Sequence, residues 1–196
     1  MVNQATLQSD QVQTLEDTKL QPHTGDVRNQ IITSVWQELS AAEIDAEQVN
    51  VNRCFRLNLD NLKPFEAVDF QYKQWGVIFH NSLAIQPSNP VFSSNSGLKV
   101  LMGSPKGGFL EATFSHPVNL VSTLVTSSQR LVLSAYDQDD QLLTQSILPT
   151  ANLVNSDSGI PPNQLLSVTI NNIKRVKFYS FDGHFTLDEF KFCFSS

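Results

Sequence analysis

The side chains that could do chemistry fall into a few short stretches of this sequence. Tyr72, Trp75 and His80 lie close together, followed by Asn81 and Asn89. Asp182 and His184 form a second group on either side of Gly183. Aromatic rings stack on the C–H faces of a sugar, while amides, imidazoles and carboxylates meet its hydroxyls. Both stretches are therefore candidate carbohydrate-binding positions. Against this, Trp75 sits next to Gly76, and a large aromatic in that setting is commonly core.

Catalytic patterns are missing. There is no G-x-S-x-G elbow and no H-E-x-x-H pair, and Gly103-Ser104-Pro105-Lys106-Gly107-Gly108 lacks the order of a phosphate-binding loop. Asp188 and Glu189 are consecutive, so a regular strand points them to opposite faces, where they cannot act as a glycosidase pair. No Cys/His cluster has zinc spacing. Asp137, Asp139 and Asp140 suggest a calcium loop, but the glycine and distal glutamate of such a loop are absent and the run reads as a turn. The chain is expected to bind rather than to catalyse.

The elements that would position these residues are short and β-like from residue 52 onward. Cys54 to Leu59, Gly76 to Phe79, Leu98 to Met102, Phe109 to Phe114 and Val118 to Thr126 read as strands. Arg130 to Tyr136 and Gln141 to Leu148 flank the Asp137–Asp140 turn as a hairpin. Leu165 to Ile170, Arg175 to Tyr179 and Phe185 to Phe194 follow. About ten short antiparallel strands without a long helical pattern predict an all-β, jelly-roll β-sandwich over residues 51–196.

Residues 1–50 differ. They hold eight acids against two bases and so carry the whole formal charge of −6, whereas all 13 Phe and all three Tyr lie beyond them. They read as an acidic polar arm, extended at first, with an amphipathic helix over about 26–39 that starts at the N-cap candidate Asp26. Its stripe includes Ile32, Val35 and Trp36, which would pack on the sandwich or bind a partner protein. Neither half is basic enough for nucleic acid, and no segment is long and apolar enough for a membrane-spanning helix. The N-terminus has no secretory pattern, which points to the cytoplasm; an extracellular location stays open if a signal has been removed.

A further set of residues carries a family resemblance. Gln71-Tyr72 and Trp75-Gly76-Val77-Ile78-Phe79 are followed by Pro87-Ser88-Asn89-Pro90 and Ser96-Gly97. Phe114-Ser115-His116-Pro117-Val118, Ala135-Tyr136-Asp137 and Phe185-Thr186-Leu187-Asp188-Glu189-Phe190 complete the set. Over residues 52–194 these resemble the galactose-binding-like jelly rolls, which include carbohydrate-binding modules and discoidin-type lectins. The resemblance implies a sugar- or polymer-binding surface, often with structural calcium (Ca2+). Asp188 matches an acidic position at which such domains often hold calcium, and Asp60 would approach it if the terminal strands pair. The same pairing would let Cys54 and Cys193 form a disulfide; otherwise they are two small buried thiols. Two functions follow as expectations: a non-catalytic glycan-binding module, or an intracellular scaffold subunit working through its arm.

Overall fold

The computed structural model describes residues 53–194 except 93, 96 and 104–106. The helix expected over 26–39, with Ile32, Val35 and Trp36, lies outside the described residues. Nine strands are described: β1 (Cys54–Arg56), β2 (Val77–His80), β3 (Ser82–Ile85), β4 (Val100–Gly103), β5 (Phe109–Ser127), β6 (Leu131–Tyr136), β7 (Leu142–Leu148), β8 (Gln164–Tyr179) and β9 (Phe185–Phe194). A single 3-10 turn, Lys73–Trp75, precedes β2.

All pairings between these strands are antiparallel, and two of the strands belong to both layers. The first part of β5 pairs with β2 and with the last part of β8, which also pairs with β6, and β6 pairs with β7. Beyond the bend at Ser115-His116-Pro117, β5 pairs with β9 and with the first part of β8. The far edge of β9 carries β4 and then β1, and β3 lies outside β4. The sequence reading divides each long strand in two. In the structure Pro117 and Asn171-Asn172 mark bends through which the chain continues. Proline and register shifts are tolerated at such a bend because the ladder is already interrupted there.

Alternation builds the core. Leu110, Ala112 and Phe114 of β5 point inward, as do Val176 and Phe178 of β8 and Leu131, Leu133 and Ala135 of β6. From the other layer Phe190 meets Phe79 at 5.2 Å and Phe178 at 6.4 Å between ring centroids, and Phe192 meets Phe114 at 5.2 Å. The fold is an all-β sandwich sealed by these rings.

The terminal strands are neighbours. Cys54 faces Cys193 directly in the β1–β9 ladder, with Cα atoms 4.0 Å apart, and the two are joined by a disulfide. Of the two fates open to them in the sequence, the structure has the bridge. On the same outer face, Glu189 has a left-handed backbone (φ 50°) at a bulge, where β9 carries one more residue than β5. Its carboxylate stands 3.4 Å from Arg56 and 2.9 Å from Lys191.

Candidate functional site

Among the described residues two clefts stand out. The first, about 430 Å3, lies between the segment after β1 and the 3-10 turn, with Arg56, Asp60, Glu66, Gln71, Trp75 and Lys99 among its lining. Tyr72 is not an exposed platform there, contrary to the sequence reading: it is 5% exposed. Its hydroxyl donates to the Asn58 carbonyl (2.7 Å), and its ring lies 5.6 Å from Trp75 and 6.1 Å from Phe79. Burial, reinforced by the charges of Glu66 and Asp60, pushes its phenol well above the usual value. Trp75 is half-buried against the core, while still lining the cleft.

Several polar side chains of this cleft hold its own walls together. Glu66 accepts from the Lys63 amide (2.7 Å) and from the Gln71 side chain (2.9 Å). The Gln71 bond, then the Lys63 amide, holds its carboxyl below the usual carboxylate range. Gln71 also accepts from the Asp69 amide and donates to the Ala67 carbonyl. Asn58 caps the Asp60 amide (2.9 Å), and Lys99 donates to the Asp60 carbonyl. The three remaining residues of the first sequence group are elsewhere. His80 ends β2 opposite Glu111. Asn81 turns the chain between β2 and β3 (φ 58°) and donates to the Phe109 carbonyl (2.6 Å). Asn89 caps a turn by accepting from the Val91 amide (3.1 Å). None of the three lines the cleft.

Asp60 and Asp188 do come to one neighbourhood, because β1 pairs with β9, but their carboxylates are turned to backbone amides. Asp60 accepts from the Leu98 amide (3.0 Å). Asp188, 2% exposed, accepts from the amides of Asn95 (2.6 Å) and Glu189 (2.7 Å). Calcium takes six to eight oxygens, and among the described residues no three His, Cys, Asp or Glu side chains converge as ligands. The two aspartates tie the backbone at Asn95 and Leu98 to β9 and to the segment after β1.

The second cleft, about 340 Å3, lies between Gly107–Gly108 and the β8–β9 connection Ser180–His184, with Tyr179 at its edge. Glycine permits the close approach of its two walls. Gly108 has a left-handed backbone (φ 61°), and a Cβ there would stand 2.6 Å from the Ser180 carbonyl oxygen. That approach lets the Ser180 amide donate to the Gly108 carbonyl (2.8 Å). A Cβ on Gly183 would collide with Ser180 Oγ and stand 2.8 Å from Gln129 Cβ. Reciprocal bonds between Ser128 and His184 anchor the other end of the loop: the His184 amide donates to Ser128 Oγ and the Ser128 amide to the His184 carbonyl, both 2.9 Å.

The Ser180–His184 loop presents rings and free polar groups. Phe181 is 72% exposed and Tyr179 41%. Asp182 (φ 49°) and His184 are exposed, and among the described residues their side chains make no hydrogen bond or ion pair. Ser180 Oγ lies buried beside them without a hydrogen-bond partner among the described residues. The structure thus brings Asp182 and His184 together and adds Phe181 and Tyr179, which the sequence reading missed. The signal was present: Phe181 directly precedes Asp182-Gly183, a pair that marks a turn between two strands.

No protein-family model and no curated protein matches the chain. Among solved structures, a DUF4465 family protein from Bacteroides caccae matches at 12% identity and a TM-score of 0.45, covering 74% of this chain and 93% of its own. TmCBM61, solved with β-1,4-galactotriose, matches at 13% identity and a TM-score of 0.39, covering 68% of this chain and 94% of its own. At these values the likenesses say nothing of function.

Proposed function

We propose that this domain is a non-catalytic carbohydrate-binding module whose site is the cleft between Gly107–Gly108 and Tyr179–His184. One observation carries the reading: exposed Phe181 and Tyr179 adjoin Asp182 and His184, whose polar atoms are uncommitted, whereas Glu66, Gln71, Asp60 and Lys99 of the larger cleft are tied into its walls. The Phe181 ring offers a flat apolar surface to a sugar C–H face. The Asp182 carboxylate accepts from hydroxyls, and the His184 imidazole can donate or accept. Among the described residues a single carboxylate, Asp182, lines the cleft. Glycoside hydrolysis commonly needs two, so binding suits the site better than cleavage. The Cys54–Cys193 bridge supports a location outside the reducing cytoplasm, against the expectation from the N-terminus.

The test is a glycan array on the full chain, in calcium and in chelator, followed by calorimetry with Phe181→Ala, Asp182→Asn and Arg56→Ala. Wild type should bind a subset of glycans equally in both buffers. Losing an aromatic anchor at the centre of a site should weaken binding about tenfold or more, so Phe181→Ala should fall by that factor. Asp182→Asn should weaken binding less, and Arg56→Ala, at the other cleft, should bind as wild type. A blank array from folded protein would end the proposal. Loss in Arg56→Ala with none in Phe181→Ala would move the site to the first cleft.

A further inference from the structure

The outward rows of the first layer continue from this cleft. Phe109, Tyr179, Val132 and Ile147 are successive cross-strand partners on β5, β8, β6 and β7. Each points away from the core, with Tyr179 41% and Ile147 44% exposed. Tyr179 belongs both to this row and to the cleft edge, and Phe181 lies two residues beyond it. With strands about 4.8 Å apart, the row is about 14 Å long. That is the length of a short oligosaccharide and well beyond one sugar.

The next row is polar and is again a set of cross-strand partners: Glu111, Lys177, Ser134 and Gln145. Its groups are fixed and its charges are balanced. Glu111 lies 3.4 Å from Lys177 Nζ and 3.3 Å from Arg175, and Lys177 also stands 4.5 Å over the Phe109 ring. The Gln145 side-chain amide donates to Ser134 Oγ (2.8 Å). Ser134 is buried and serves to hold Gln145, so a ligand would meet Glu111, Lys177 and Gln145 as preorganised hydrogen-bonding groups beside an apolar strip. The balance of charge gives an anionic polymer no net field to follow.

We infer that the cleft is one end of an extended site, and that the ligand class is a neutral linear oligosaccharide lying across β5, β8, β6 and β7 along the Phe109–Tyr179–Val132–Ile147 row. This rests on the carbohydrate-binding reading of the cleft and adds the direction and length of the chain it takes. The apolar row would meet the C–H faces of successive sugars while the polar row meets their hydroxyls. A terminal sugar alone would engage Phe181, Asp182 and His184.

The experiment is calorimetric titration of the full chain with β-1,4-linked galacto-, gluco- and xylo-oligosaccharides of one to six units. It is run on wild type and on Val132→Thr/Ile147→Thr, which keeps β-branched side chains in the strands while removing apolar surface. Light scattering on both proteins reports their mass. In one series the wild-type affinity should rise about tenfold or more from the shortest ligand that binds to the hexamer, and the double variant should lose that gain while keeping its affinity for the shortest one. Affinity independent of length in wild type would overturn the extended site and leave the cleft reading intact. A length gain that survives in the double variant would place the chain on another surface and equally overturn it. No binding at any length by folded protein would remove both readings. A wild-type dimer that the double variant abolishes would assign the row to a second copy of this chain instead.

Discussion

Glu189 shows how a single position combines backbone, charge and pH. Its left-handed backbone sits at the β9 bulge and aims its carboxylate between Lys191 and Arg56. The Lys191 hydrogen bond, against the opposing effect of burial and with lesser help from Arg56 and Asn95, holds the carboxyl below the usual carboxylate range. A carboxyl depressed in the folded state contributes stability above its unfolded pKa and loses it as pH falls through the lower folded value. Both cations are partly solvated, so the contribution is less than about 1 kcal/mol. Glu189→Gln should therefore be slightly less stable than wild type at neutral pH, with the gap closing in acid. Urea unfolding at neutral pH and again well below the carboxylate range measures it. A gap that stays constant would show that the ion pairs contribute nothing. At this scale the sequence was only partly legible. Asp182 and His184 stand beside a glycine between two strands, so their loop position could be read. Tyr72 could not be assigned, because a phenol near a turn is equally suited to solvent and to core until the Asn58 carbonyl is found opposite it.

Between residue and domain, β1 is the element most dependent on a covalent aid. Its ladder with β9 is three residues long, and its Phe55 packs on Phe192 and Phe194 at 5.5 and 5.6 Å. The bridge at Cys54 and Cys193 closes 139 residues of chain. On a chain-entropy account, a loop of that size stabilises by about 4–5 kcal/mol through the unfolded state. Cys54→Ser/Cys193→Ser should unfold at clearly lower denaturant. Wild type unfolded with reductant present throughout should fall to the same midpoint, whereas reductant should leave the double variant unchanged. Equal midpoints for wild type with and without reductant would refute the assignment. The pairing of first with last strand was open to sequence reasoning, as was the β6–β7 turn, where Asp137 accepts from the amides of Asp139 and Gln141 (both 2.9 Å). The continuity of β5 and β8 was not. Pro117 and the Asn171-Asn172 pair carry the local chemistry of a break, and only the neighbouring strands decide that the chain bends and goes on.

For the whole molecule, that continuity couples the two layers. β5 and β8 each contribute to both, and the rings of Phe79, Phe114 and Phe178 on one side meet Phe190 and Phe192 on the other. Neither layer can lose its pairing without stripping β5 and β8 from the other, so the described domain should unfold in one step. Trp75, packed against the core before β2, reports on the first layer and its cleft. In a Trp36→Phe chain, Trp75 is the only tryptophan left. Its fluorescence and the far-ultraviolet circular dichroism of the strands should then give one denaturation midpoint. The Ser180–His184 loop and the outward row of β5, β8, β6 and β7 should share it, because Tyr179 stands on β8 itself. Fluorescence that shifts well before the strand signal would mean the segment around Trp75 opens by itself and that the shared strands do not couple the layers.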